Sequence, residues 1–213
     1  VNILSIDAAG PRAGIAVLAA DGTIPVRLTA PGRPGLIETL PGLLQQAITG
    51  RSIDLVAVTT GPGSFTGLRT AISLAQGFAA AAGLPLTGIP VADCYRAAFP
   101  TLARPLWVAI RARKNRIFLI RGDHAEAFAD SDLPREKSPI AAAGDAAIEL
   151  AATLLAAGGD VMLTNARAID PIWPARAALA RHLAGLPLLP ALPLYVDPPE
   201  AKLPLGGLRP APV

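Results

Sequence analysis

Residues 53–83 read IDLVAVTTGPGSFTGLRTAISLAQGFAAAAG, and the order of residue types in this stretch sets the architecture around it. Residues 53–60 are a continuous apolar run rich in β-branched side chains, the pattern of a strand buried on both faces of a parallel sheet. Beyond the loop, Leu68, Ile72, Ala75, Ala79 and Ala82 recur at helical spacing. Gly61, Pro62 and Gly63 stop the strand and predict a sharp turn. Ser64 or Thr66 can cap the free N–H groups of the helix, and Gly83 ends it in the left-handed conformation. Gly67, Ala71, Ala75 and the alanines at 79–82 keep the helix slim enough for a neighbouring backbone to approach, while Leu68, Ile72 and Phe78 supply apolar area.

Glycines between a strand and a helix suggest a phosphate loop, but the spacing argues otherwise. A Walker loop needs Gly-x4-Gly-Lys; here Gly67 stands one position late and Leu68 replaces the lysine. A dinucleotide fingerprint starting at Gly61 and Gly63 would need a third glycine where Thr66 stands, and Asp93 comes too late to hold a ribose. A nucleophile elbow around Ser64 would need glycines where Pro62 and Thr66 stand. The two histidines, His124 in a polar turn and His182 at a helix end, suit solvated or structural roles better than base catalysis. With one cysteine and no His-x3-His or Cys-x2-Cys, no transition-metal site is recognisable, and no carboxylate pair has the spacing of a catalytic dyad. No residue is therefore assigned as catalytic.

Outward from the loop, 2–7 and 13–19 read as an antiparallel strand pair, with 23–29 as a third strand that Pro25 places at an edge. Residues 35–48 put Leu36, Leu40, Leu43, Leu44 and Ala47 on one helical face, with Pro41 predicting a kink or a late start. A strand over 84–91 and a helix over 92–99 follow. The second half repeats the plan: a strand pair over 105–112 and 115–123, a helix over 144–158 capped by Asp145, a strand over 160–165 and a helix over 174–185. This divides the chain into lobes at 1–100 and 101–186. From 187 to 213 the prolines are too dense for regular structure and predict an extended strap.

The composition, 52% hydrophobic and 16% charged, excludes intrinsic disorder, and the 4% aromatic content requires an aliphatic core. A net charge of +3 permits nucleic-acid contact without arguing for it. Cys94 is the only cysteine, which fits a reducing compartment. The stretch between Arg69 and Asp93 lacks charge, but Gly83 and Pro85 break it into a helix and a strand rather than a membrane span. VNILSIDAAG, without a basic region and with Asp7 after six residues, reads as a strand and not a signal peptide, so the expectation is a cytoplasmic protein without membrane contact.

Three blocks, NILSIDAA…AGIAVL at the start, GPGSFTGLRTAISLAQGFA at 61–79 and PLYVDPPEAKLP at 193–204, carry a resemblance to a known family. They resemble TsaB (also called YeaZ), across most of the chain and in the right order, with GPGSFTGLR the specific part. The resemblance implies an α/β ASKHA fold, that of actin, sugar kinases and Hsp70: two lobes, each a β-sheet with flanking helices, the second reduced. It also implies a role. TsaB-like proteins bind the related catalytic subunit TsaD and, with the ATPase TsaE, help install threonylcarbamoyl on adenosine 37 of tRNAs reading codons that begin with A. TsaD carries a metal-binding His-x3-His on a first-lobe helix; the corresponding GLIETLPGLLQQA here has no histidine. A non-catalytic subunit is implied, requiring no cofactor or metal of its own, with ATP or ADP at the joint with its partner and a homodimer when alone. The alternative is a small ASKHA-type ATPase or phosphotransferase using Asp7.

This chain departs from the family where Ala8 and Ala9 replace hydroxyl residues after Asp7, leaving at most a vestigial nucleotide site. It departs again at Arg111, where the family has an aspartate, and at Asp197, where it has an arginine. The expected partner face is the helix after GPGSFTGLR together with the helix at 36–48, with Phe65, Leu68, Arg69 and Ile72 at the contact. Gly61, Pro62, Gly63, Ser64, Thr66 and Gly67 form a structural corner. For Phe65 and Arg69 the chain's own core is the competing location. Arg113, Lys114 and Arg116, within a basic cluster that includes Arg111 and Arg121, are the candidate tRNA contacts.

Overall fold

The computed structural model describes residues 1–31, 35–113 and 115–196, with the backbone but not the side chains of residues 36 and 37. Lys114, Asp197 and the strap beyond residue 196 lie outside the described residues. In the first half, β1 (Ile3–Asp7), β2 (Arg12–Leu18) and β3 (Val26–Pro31) make an antiparallel meander. The chain then crosses through α1 (Leu36–Ile48) to β4 (Leu55–Gly61), and through α2 (Phe65–Ala82) to β5 (Leu86–Pro90) and α3 (Val91–Ala98). Because β4 runs parallel to β1 and β5 parallel to β4, the sheet order is β3-β2-β1-β4-β5. β3 takes the edge that Pro25 predicted.

The second half repeats this topology. β6 (Leu106–Arg111), β7 (Arg116–Arg121) and β8 (His124–Ala129) form the meander, and β9 (Ile140–Ala143), α4 (Ala147–Ala156), β10 (Val161–Leu163) and α5 (Ile172–Leu183) follow. The order β8-β7-β6-β9-β10 matches the first sheet strand for strand, including the parallel pairs β6–β9 and β9–β10. A 3-10 turn at Asp130–Asp132 stands between β8 and β9, where the first half has α1.

Burial follows from strand alternation. β1 and β4 are buried along their whole length, which requires cover on both faces of the first sheet. α1 and α2 touch each other, and so do α3 and α5, giving two helical layers. α5 thus leaves its own half of the chain to pack on β1 and β2, where its Pro171 carbonyl accepts a hydrogen bond from Ser5 Oγ. In β6, Trp107 and Ala109 join the smaller core beneath α4, whereas Val108 and Ile110 face the large core of the first lobe. One strand with two apolar faces welds the lobes together.

Five points differ from expectation. His124 opens β8 instead of lying in a turn, and β9, a short alanine-rich strand, gave no periodic signal. α1 runs through Pro41 from its start at Leu36. Asp145 does not cap α4; its Oδ1 accepts the Arg111 backbone N–H at 2.6 Å, because β6 reaches it first. Ala82 lies on the exposed side of α2. No described helix is long and apolar enough to cross a membrane.

Candidate functional site

The loop between β4 and α2 closes on the turn between β1 and β2. Ser64 does two jobs: its Oγ accepts the Gly67 N–H at 3.2 Å as the helix cap, and its own N–H donates to the Ala9 carbonyl at 2.7 Å. Thr66, the other candidate cap, is exposed, and its carbonyl accepts from Thr70 Oγ1. The glycines make the approach possible. A Cβ on Gly63 would lie 2.3 Å from the Ala9 carbonyl oxygen, and one on Gly67 would lie 2.0 Å from that of Ala8. Gly61, at φ 115, begins the turn with a cis peptide bond to Pro62. The glycine grammar of this loop serves backbone-to-backbone contact, with no room for a phosphate between the segments.

Asp7, at the end of β1, is 2% exposed. Its Oδ1 accepts from both Thr59 Oγ1 and the Ala9 N–H. Burial pushes the carboxyl up to about 6, against the lowering effect of those two hydrogen bonds. Ala9, Gly10, Tyr95, Asp145 and Arg167 line the cleft between the lobes, which has a volume of about 10 Å³, room for roughly one water. Burial also raises the Asp145 carboxyl. The residues present do not fit a nucleotide: the cleft has room for about one water, Ala8 and Ala9 offer no hydroxyl, and Asp7 is already engaged. Nor do they fit the metal that the resemblance implies for TsaD, since α1 has no histidine. Cys94 is buried and its thiol is pushed well up, which makes it unreactive.

The four residues expected at a partner interface separate into two pairs. Leu68 and Ile72 are 1% and 4% exposed and belong to this chain's own core, because the apolar stripe of α2 faces β4. Phe65 and Arg69 face outward. The Arg69 guanidinium lies 3.9 Å from the Phe65 ring centroid, and its Nε donates to Tyr195 Oη at 2.8 Å. Tyr195 in turn packs on Phe65 with ring centroids 5.6 Å apart. Sequence reasoning had no role for Tyr195; an aromatic content of 4% made any tyrosine in the strap worth asking about.

Two residues of the basic cluster are paired with acids of this chain. Arg111 bonds Asp130 and Glu149, tying β6 to α4, and Arg121 bonds Glu126 while lying over Trp107. Arg116 is half-buried, whereas Arg113 is exposed at the hairpin tip.

Two mixed sheets of identical order, flanked by helices and facing one cleft, define an ASKHA-type protein. The family described as TsaD: tRNA N6-adenosine threonylcarbamoyltransferase matches residues 35–171, well over half of the chain, and the chain belongs to this family, on its TsaB (YeaZ) side. The tRNA threonylcarbamoyladenosine biosynthesis protein TsaB of Escherichia coli (strain K12) is 38% identical over 94 residues, 42% of this chain and 40% of that protein. An uncharacterized protein of Mycobacterium leprae (strain TN) is 26% identical over 231 residues, 99% of this chain but 61% of that protein's length. Among solved structures, YeaZ from Pseudomonas aeruginosa shares the fold with a TM-score of 0.67 at 18% identity, over 91% of this chain and 99% of that one. A ROK family protein from Streptococcus pneumoniae TIGR4 shares it at a TM-score of 0.53 and 12% identity, over 87% and 100%.

Gly67→Ala drives a methyl into the Ala8 carbonyl and is expected to lower stability by about 3 kcal/mol, read from denaturant unfolding. Gly77→Ala on the same helix, with open space around it, should be neutral or stabilising. Asp7 holds its proton in the folded chain up to about pH 6, against 3.8 for the free carboxyl, so its burial costs stability increasingly as pH rises through that window. Asp7→Asn keeps an Oδ1 acceptor for both donors. It should stabilise the protein at pH 7 by on the order of 3 kcal/mol relative to its effect below pH 4, measured by unfolding across the window.

Proposed function

We propose that the chain is a scaffolding and activating subunit of the complex that makes N6-threonylcarbamoyladenosine in tRNA. It pairs with the catalytic TsaD subunit and performs no transfer itself. The observation that carries this reading is the closure of GPGSFTGLR onto the Ala8–Ala9 turn. That contact uses the family's most specific motif to build a tight corner beside an inter-lobe cleft with room for about one water. Where a nucleotide takes part, its place is the joint with the partner.

The partner face is formed by the outer sides of α1 and α2. Gly42 and Gly77 sit inside these helices, exposed, with nothing within 4 Å of an added Cβ. A helical glycine costs about 1 kcal/mol relative to alanine, and neither position has a compensating contact within the chain. Both suit close approach by another helix. Thr66, Ser73 and Ala80 extend the slim exposed surface of α2. The same face closes on a second copy when the partner is absent. TsaE joins through TsaD, and tRNA contact from this chain falls to the hairpin tip at Arg113, with Lys114 and Arg116 beside it.

Reconstitution tests the reading. The chain with ATP and magnesium should show no turnover, whereas adding it to TsaD, TsaE and tRNA should restore modified tRNA. Gly77→Leu improves helix propensity, so its melting temperature should hold or rise. Its binding to TsaD should fall about 10-fold or more by calorimetry. Turnover of ATP by the isolated chain would favour the phosphotransferase alternative instead.

A further inference from the structure

The strap leaves the surface with an uneven distribution of apolar groups. Leu192, Leu194 and Tyr195 are 64%, 41% and 44% exposed, and Tyr195 packs on Phe65, itself 44% exposed. Residues so close to the end of the described chain are nonetheless well fastened. The Leu189 carbonyl accepts the Gly88 N–H at 2.9 Å, the Ala191 carbonyl accepts Gln76 Nε2 at 2.9 Å, and the Leu194 N–H donates to the Thr60 carbonyl at 2.7 Å. Gly88 is open to the strap for the same reason as the loop glycines: a Cβ there would lie 2.3 Å from the Pro190 carbonyl oxygen.

Arg69 stands in the middle of this apolar group. Arg96, Arg104, Arg111 and Arg121 each bond a carboxylate of this chain. Among the described residues, no carboxylate pairs with Arg69; its contacts are the Phe65 and Tyr195 rings and the Tyr195 hydroxyl. That hydroxyl takes Nε, which leaves the two terminal nitrogens of a guanidinium already oriented by stacking. Two parallel N–H donors on a fixed plane match a carboxylate. The aromatic shelf and the strap leucines supply the dry surround in which such a pair gains strength.

We propose that Phe65, Arg69, Leu194 and Tyr195 form one preformed anchor that receives an acidic side chain flanked by apolar residues on the protein partner. This makes the strap part of the docking surface. The inference rests on the reading of the chain as the TsaD-binding subunit, and TsaD is the occupant it commits to. Charge complementarity favours a protein over RNA here. A phosphate backbone is held by several cations, whereas among the described residues this patch presents a single cation among apolar groups. Because the anchor is held by hydrogen bonds before the partner arrives, little ordering remains to be done on binding.

Calorimetry of the full chain with TsaD tests the anchor. Arg69→Gln and Tyr195→Ala should each weaken binding about 10-fold or more, and the double variant little further, since the two act as one unit. Tyr195→Phe keeps the ring, loses the hydroxyl that orients Arg69, and should lose a smaller factor. Added salt should weaken the parent more than Arg69→Gln. Should Tyr195→Ala lower the melting temperature, Arg69→Gln, which breaks no backbone bond, decides. Parent binding with Arg69→Gln unchanged overturns the anchor and leaves the subunit reading intact; a parent that does not bind TsaD overturns both. Loss of tRNA retention by Arg69→Gln at unchanged TsaD affinity overturns it in favour of a phosphate contact.

Discussion

The hydrogen bond from the Ser64 N–H to the Ala9 carbonyl, with two glycines letting the backbones meet, is the constraint on which the rest of the first lobe depends. It joins the turn after β1 to the start of α2, two segments more than fifty residues apart. α2 leaves the sheet at a fixed angle as a result, with Leu68 and Ile72 directed inward and Arg69 outward. The same contact excludes space that a phosphate would need. One piece of packing therefore ties the β1–β2 turn to the start of α2 and sets the direction in which that helix leaves the sheet.

The duplicated topology explains how so small a chain supports two lobes. Each half builds the same five-stranded sheet, yet the halves do not fold as equals. The second has no counterpart to α1 between β8 and β9, and it sends α5 across to cover the first sheet. Its strands alternate between a small core under α4 and the large shared core, so the lobe boundary runs through single strands. Separating the lobes would expose both Val108 and Ile110.

Charge is disposed to the same end. Arg27, Arg96, Arg104, Arg111 and Arg121 are spent on carboxylates nearby in the fold, and such exposed pairs contribute little stability. Asp7, at the end of β1, is buried and hydrogen-bonded, at a cost in stability near neutral pH. Arg69 differs from both groups: it is held by aromatic rings, and among the described residues no carboxylate meets its charge.

Much of this was legible in the sequence. The apolar run of β4, the Ser64 cap offered beside Thr66, the Gly83 stop and the order of elements in the first half are local signals, written in residue periodicity within one or two turns of chain. The family, too, was legible in GPGSFTGLR. What the sequence could not decide was which contacts those elements make. Period alone puts Leu68 and Arg69 on different faces of α2, but only the packed sheet says which face is inside. β9 was missed because four residues, three of them alanine, carry no periodicity, and Asp145 because Arg111 competes for its carboxylate across 34 residues. The reason for the loop's glycines and the meeting of Tyr195 with Phe65 and Arg69 belong to tertiary structure alone. Both arise where segments distant in the chain touch, and no local pattern of residues records a distance across the fold.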